Sequence, residues 1–295
     1  MMEPRDTTVR AWVAGLRTRS PHTARSYQEA VERFLAVVGK PVETITVQDA
    51  LAYVGELATS GLSRASVAHH ISAVRSFLRH CQGLGIIPTS PLDALRRPRV
   101  AITSMNRYLT KEEAQRLLSG AHQVGPAAHA AVAVLLGTGL RVAELAGAQW
   151  RHLFRDPQGN LGLLVVGKGN KERVVAIRED LWRVLAAERA RRGLSVELSA
   201  RDTSPLVGNR ERTAPTTMTI WRWVRASAEA AGIDKPLSPH WLRHTFGTLT
   251  ALAGAGVFSI QEAMGHAQIT TSQRYVHWAR GLADSAAHKL PIEIV

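Results

Sequence analysis

The 295-residue chain has one cysteine, Cys81. That excludes an internal disulfide framework and any cysteine-based metal cluster, and Cys81 itself reads as a small buried hydrophobe. No apolar run approaches the roughly 20 residues of a membrane span. The opening Met-Met-Glu-Pro-Arg-Asp has no apolar stretch behind its charges, so it is not a secretory signal. No G-x-x-x-x-G-K-[ST] occurs, so ATP is not indicated. No acidic residues cluster at the spacing of a two-magnesium nuclease. A cytosolic protein whose chemistry runs on ordinary side chains fits these absences.

Acidic residues are also few: 24 Asp and Glu stand against 37 Lys and Arg, a formal net charge of +13. The chain up to Asn106 carries +5 and the remainder +8. Both halves are basic, so this is not one basic tail on a neutral body. A polyanion is the implied partner, and nucleic acid the leading one.

The first hundred residues read as a compact bundle of about four helices. In "SPHTARSYQEAVERFLAVVG", Ser20 is a plausible N-cap, Pro21 opens the helix, and Tyr27, Val31, Phe34, Leu35 and Val38 recur at helical spacing. Thr46 with Asp49 forms a capping-box pattern. A further helix buries Ile71, Val74, Phe77 and Leu78, and Arg64, Arg75 and Arg79 are expected off that face. The stretch "SPLDALRRPRVAITSMNRYLT" reads as a basic, proline-containing linker. The expected division is a helical DNA-binding domain over 1–97, a linker over 98–107 and a catalytic domain over 108–295. The second domain opens with Thr110 as a cap and Glu113 three residues later. It is mostly helical, except that "LGLLVVGKGNKERVVAI" reads as a β-hairpin.

Four stretches could carry chemistry. In "GTGLRVAELAGAQW", Arg141 and Glu144 share a helix face, and taken alone they are an ordinary ion pair. Lys168 sits in the hairpin turn "GKGNKER", where a solvated lysine is the bland reading. In "SPHWLRHTFG", His240, Arg243 and His244 lie at i, i+3 and i+4, on one face. The two histidines have zinc spacing, but Trp241 occupies the place where a metalloprotease carries glutamate, and the arginine between them disfavours a dication. In "MGHAQITTSQRYVH", His266 and Tyr275 could each be packing residues.

As a set these residues suit phosphoryl transfer without a metal. Arginines clamp non-bridging oxygens and offset developing charge. A tyrosine hydroxyl can attack phosphorus when a base or a positive field assists it. A cation or acid must protonate the leaving alkoxide.

In order and spacing, "TGLRVAEL", "GKGNKER", "HWLRHTFGT" and "MGHAQITTSQRYVH" resemble the motifs of the tyrosine recombinase (phage integrase) family, nearest its bacterial Xer-like branch. The resemblance spans the chain. "SPHTARSYQEAVERFL" is similar to the family's core-binding domain and "RYLTKEEAQRLL" to the start of its catalytic domain. The implied fold is mainly α: a helical, SAM-like core-binding domain followed by an α+β catalytic domain with a small β-hairpin or sheet.

The resemblance implies a role for each matching position. Arg141 and Arg243 would hold the scissile phosphate, and Glu144 would orient Arg141. Lys168 would be the acid for the 5′-hydroxyl leaving group, with Lys171 in the same turn as the competing choice. His240 would serve in acid–base work on the tyrosine, and His266 would hydrogen-bond the phosphate. Tyr275 would attack and form a 3′-phosphotyrosine link. His244 reads as a helix-packing histidine. No metal, ATP or other cofactor is implied.

The implied partners are a double-stranded DNA recombination site and further recombinase subunits. Those would form a homotetramer, or a heterotetramer with a paralogue, on two duplexes. A DNA translocase is a further possible partner, no membrane is involved, and the setting would be the cytoplasm, at the nucleoid. The C-terminal segment "VHWARGLADSAAHKLPIEIV" would dock on a neighbouring subunit or pack on its own. The role would be chromosome-dimer resolution or DNA integration and excision. Alternatives are a plasmid or mobile-element integrase, a type IB topoisomerase-like enzyme, and a DNA-binding protein that has lost catalysis. The intact catalytic set speaks against the last.

Overall fold

The computed structural model describes residues 4–18, 21–93, 107–167, 171–209, 213–266 and 268–280. The chain divides into two compact units, Met1–Ile102 and Thr103–Val295. Nearly all of the expected linker, and the tail from 281 onward, lie outside the described residues.

The first unit is a bundle of α1 (Pro4–Arg17), α2 (Pro21–Val38), α3 (Val47–Thr59) and α4 (Arg64–Gly83). Local signals set these boundaries. Pro21 opens α2, where its missing N–H costs nothing; the expected cap Ser20 lies outside the described residues. Gly39 leaves α2 at φ 65°. Thr46 and Asp49 form the expected capping box, and the Ser63 side chain caps α4. Trp12, Phe34, Tyr53 and Phe77 fill the core. Trp12 meets Phe77 edge-on with ring centroids 5.5 Å apart.

One expectation for this unit fails. Arg64 and Arg79 are exposed, but Arg75 is buried at 4% exposure. Position 75 lies one turn from Ile71 and Leu78, so it falls on the apolar stripe. The segment after α4 folds back over it, and the guanidinium donates to the Leu92 carbonyl from Nε (3.3 Å) and a terminal nitrogen (3.0 Å). That hydrogen bonding is what makes its burial tolerable.

The second unit is built around α6 (Pro126–Thr138), which α5 (Lys111–Val124), α8 (Glu179–Arg191), α9 (Thr217–Ala230) and α10 (Pro239–Leu252) contact. Ala131, Val132, Val134 and Leu135 are fully buried; a helix apolar on all sides belongs in a core. Thr110 and Glu113 form the expected capping box on α5. Short α7 (Val142–Ala146) follows α6.

The expected hairpin is present as β2 (Leu161–Val166) and β3 (Glu172–Ala176), antiparallel with Leu163 opposite Val175. A third strand, β1 (Leu153–Arg155), pairs with β2 in the order β1-β2-β3. Three residues are too few to show strand alternation, so pairing rather than pattern makes β1. The unit closes with α11 (Val257–Met264) and α12 (Ile269–Arg280), both packed on α10. There Ala251, Ile260, Met264, Tyr275 and Val276 form an apolar cluster of their own. Among the described residues, no helix is long and apolar enough to cross a membrane.

Candidate active site

The site begins where α6 ends. Gly139 takes a left-handed conformation, φ 66° and ψ 21°, and stops the helix. A Cβ there would lie 2.5 Å from the Phe246 ring, so only glycine fits. Two residues on, Arg141 occupies the N-cap of α7 rather than its helical face. Glu144 accepts from the Arg141 backbone N–H at 2.8 Å and from its guanidinium at 2.9 Å. The ordinary ion pair is thus also a capping arrangement, and it leaves the Arg141 side chain 39% exposed.

Glu144 has a second partner that sequence reasoning missed. Arg173 on β3 donates to both its carboxylate oxygens, at 2.9 and 2.8 Å. The Arg173 Nε donates to the Ala263 carbonyl at 2.9 Å, tying the sheet to α11. A signal was available: strand alternation puts Arg173 on the same face as buried Val175. An arginine on the inward face of a strand calls for an acid. Burial pushes the Glu144 carboxyl up, but hydrogen bonds from Arg173 and Arg141 outweigh it and hold the pKa down at about 2.

Arg243 projects from α10 and is 6% exposed. It donates to the Gly139 carbonyl and to the Met264 carbonyl, each at 2.5 Å. One guanidinium therefore joins the end of α6 to the end of α11. Burial and the neighbouring Arg141 lower its pKa to about 10, which leaves it charged at neutral pH. Arg141 reaches the same turn, donating to the Gly265 carbonyl at 3.3 Å. Gly265, at φ 61°, ends α11 and turns the chain towards His266.

His266 is half-buried, with Nδ1 2.8 Å from the Ser272 hydroxyl. Burial and then Arg243 and Arg141 push its pKa down to about 4, so the ring is neutral. It stacks on Tyr275, with planes 11° apart and centroids separated by 6.2 Å. Tyr275 is 6% exposed. A Cβ at Gly247 would come within 3.0 Å of the Tyr275 ring and 3.1 Å of Met264 Sδ, so α10 makes room for the tyrosine at that position.

His240 is exposed at the first turn of α10. Partial desolvation, then Arg243 and Arg141, lower its pKa. His244, expected to be a packing histidine, is half-buried but does more than pack. Its Nδ1 lies 2.7 Å from the Tyr275 hydroxyl. The one-turn offset from His240 aims His244 towards α12, a direction that helical spacing alone does not reveal.

Arg141, Arg173, Lys171, Gly265 and His266 line an open cleft of about 800 Å³, with exposed Phe258 at its edge. Glu172 and Glu262 also line the cleft, but Glu144 is the one carboxylate that Arg141 and Arg173 are paired with. With Arg243 and Lys171 the cations still outnumber the acids, and forked guanidinium groups suit an anion such as a phosphodiester. Lys168 lies outside the described residues. Lys171 is exposed where the hairpin closes, with its carbonyl accepting from Gly167 N–H at 2.8 Å. Among the described residues, no group of three or more His, Cys, Asp or Glu side chains is placed to hold a metal ion.

Comparisons with known proteins match both units of the chain. The phage integrase family model matches residues 107–281, and that of the phage integrase N-terminal SAM-like domain matches residues 10–81. The chain is 32% identical over 273 residues to tyrosine recombinase XerD of Chlorobaculum tepidum, covering 88% of this chain and 87% of that one. It is 30% identical over 292 residues to tyrosine recombinase XerC of Pelobacter propionicus, covering 94% and 92%. The structure of a lambda integrase tetramer bound to a Holliday junction shares the fold, with a TM-score of 0.74 at 18% identity over 94% of this chain and 78% of that one.

Proposed function

The chain belongs to the phage integrase family, as a tyrosine recombinase that breaks and rejoins DNA, and on that premise we propose that Tyr275 is its nucleophile and that it works through a 3′-phosphotyrosine intermediate. One observation carries the reading. Tyr275 packs against His266 beside two arginines that backbone carbonyls and Glu144 hold in place.

Arg141 and Arg243 bind the non-bridging oxygens of the scissile phosphate, and His266 adds a hydrogen bond. The Tyr275 oxygen attacks phosphorus, the bond to O5′ breaks, and Lys168 protonates the departing oxygen. His240, at the exposed end of α10, completes the set around the phosphate. The covalent link keeps the energy of the broken bond, so a 5′-hydroxyl from a partner duplex reverses the step. Neither ATP nor a metal enters the scheme.

The partner is a double-stranded recombination site. The relatives' names and the tetrameric lambda integrase complex support site-specific recombination by several subunits on two duplexes. The XerC and XerD relatives favour chromosome-dimer resolution; integration or excision of a mobile element is the second reading. Under either reading the first domain supplies further phosphate contacts, and binding weakens steeply with salt.

The test is covalent capture. A pool of nicked suicide duplexes with randomised arms is incubated with the full chain in EDTA and resolved on a denaturing gel. An adduct that vanishes in Tyr275→Phe supports the proposal. An adduct that persists in that variant identifies a different nucleophile and overturns it.

A further inference from the structure

The geometry points to His244 as the base that takes the proton of the Tyr275 hydroxyl during attack. This rests on the proposed function and adds a residue that neither motif spacing nor resemblance assigned to the chemistry. The contact is short and direct: His244 Nδ1 is 2.7 Å from the phenolic oxygen. It also has built support. α10 and α12 pack together, the tyrosine ring lies in the gap left by Gly247, and His266 stacks on that ring. The hydroxyl is thus delivered to His244 by packing rather than by a mobile side chain.

The protonation state suits a base. The charged and titratable groups facing His244 are His240 and Arg243 on its own helix, Arg107 ahead of α5, and His266 and Tyr275 from the α11–α12 region. Burial, then His240, Arg243 and Arg107, push its pKa below the ordinary histidine value. The ring is therefore neutral at physiological pH. With Nδ1 accepting the phenolic O–H, the ring proton resides on Nε2. The same surroundings make His244 a weak base until DNA arrives. A phosphodiester between Arg141 and Arg243 adds negative charge and raises the basicity of the imidazole. Proton transfer is thereby coupled to substrate binding.

The step balances. As the tyrosine oxygen bonds to phosphorus, its proton moves to His244 Nδ1. The P–O5′ bond breaks, its electron pair stays on O5′, and that oxygen takes a proton from the separate acid. In resealing, the incoming 5′-hydroxyl attacks and gives its proton back to that separate acid, the phosphorus–tyrosine bond breaks, and His244 returns its proton to the phenolate.

Two measurements on the full chain test the inference. In the first, histidine-selective ¹⁵N NMR of the DNA-free protein, with His244 assigned through His244→Gln, reads the tautomer. Nδ1 unprotonated at pH 7, with a pKa that changes in Tyr275→Phe, is expected. A proton on Nδ1 overturns the inference, because the ring then cannot accept the phenolic proton. The second is the rate of adduct formation on captured DNA, with an ordinary and a bridging 5′-phosphorothiolate leaving group. His244→Gln should slow attack about 100-fold and change the pH profile. The sulfur leaving group, which removes the need for an acid, should not restore the rate. A His244→Gln rate within about threefold of wild type, with the same pH profile, overturns the base assignment alone. Failure of the wild-type protein to form any adduct overturns the proposed function itself, and this inference with it.

Discussion

Glu144 and Arg173 meet through two parallel hydrogen bonds, 2.9 and 2.8 Å long, from residues 29 positions apart in the chain. The carboxylate side chain is 6% exposed and the guanidinium 10%. Through this pair the sheet, the start of α7 and, by way of Ala263, the end of α11 share one joint. That joint sets the height of Arg141 above the cleft.

Removing one member should therefore cost far more than a surface ion pair. Arg173→Ala is expected to destabilise the catalytic unit by about 3–5 kcal/mol, as the loss of one partner of a buried pair does. Urea unfolding measures it. A loss below about 1 kcal/mol, the scale of an exposed pair, would show that the joint carries little.

Two groups of the site contribute in separate pH windows to the pH dependence of stability. The Glu144 pKa is depressed to about 2, so its contribution is present above the unfolded value near 4.5 and is lost as pH falls towards 2. The His266 pKa is also depressed, to about 4, so the unfolded chain binds more protons between about pH 6.5 and 4. Stability accordingly declines as pH falls through that window. His266→Asn should reduce the slope in the upper window, where His240 and His244 also contribute, and leave the lower one. Unfolding free energies at half-unit pH steps separate the two, and an unchanged upper slope would contradict the assignment.

Gly247→Ala tests the fit of the nucleophile. In an open helix the change would stabilise by about 1 kcal/mol. Here the methyl would lie 3.0 Å from the Tyr275 ring, and overpacking typically costs about 1–3 kcal/mol. A lower melting temperature together with a reduced yield of covalent adduct is expected. A higher melting temperature with full adduct yield would show that the ring shifts freely.

Arg243→Lys should not behave as a conservative change. A lysine ammonium cannot span the carbonyls of Gly139 and Met264 as the guanidinium fork does. Adduct formation should fall about 10²–10³-fold, the scale of losing one electrostatic donor from an active site. Equal rates would mean that only the charge at this position matters.

The helices were legible in the chain because their signals are local. Pro21, Gly39, the Thr46–Asp49 box and the Thr110–Glu113 box act within four residues. The hairpin was legible for the same reason. Strand β1 was not, since its three residues become a strand only when Leu153 finds Leu163. Arg75 was misplaced because the segment that buries it, around Leu92, is distant in sequence and makes no periodic pattern.

The sequence by itself determined the basic charge, the run of helices, the order of the motifs and the residue types from which a phosphoryl-transfer site could be assembled. These depend on composition and short-range spacing, which the chain displays directly. Only the tertiary structure decided which groups meet. It joined Arg173 to Glu144, hung Arg243 between two carbonyls, and turned His244 from a packing residue into the hydrogen-bond partner of Tyr275. Each of these contacts spans more than 20 residues and depends on how helices and sheet pack, so no window along the chain contains both partners.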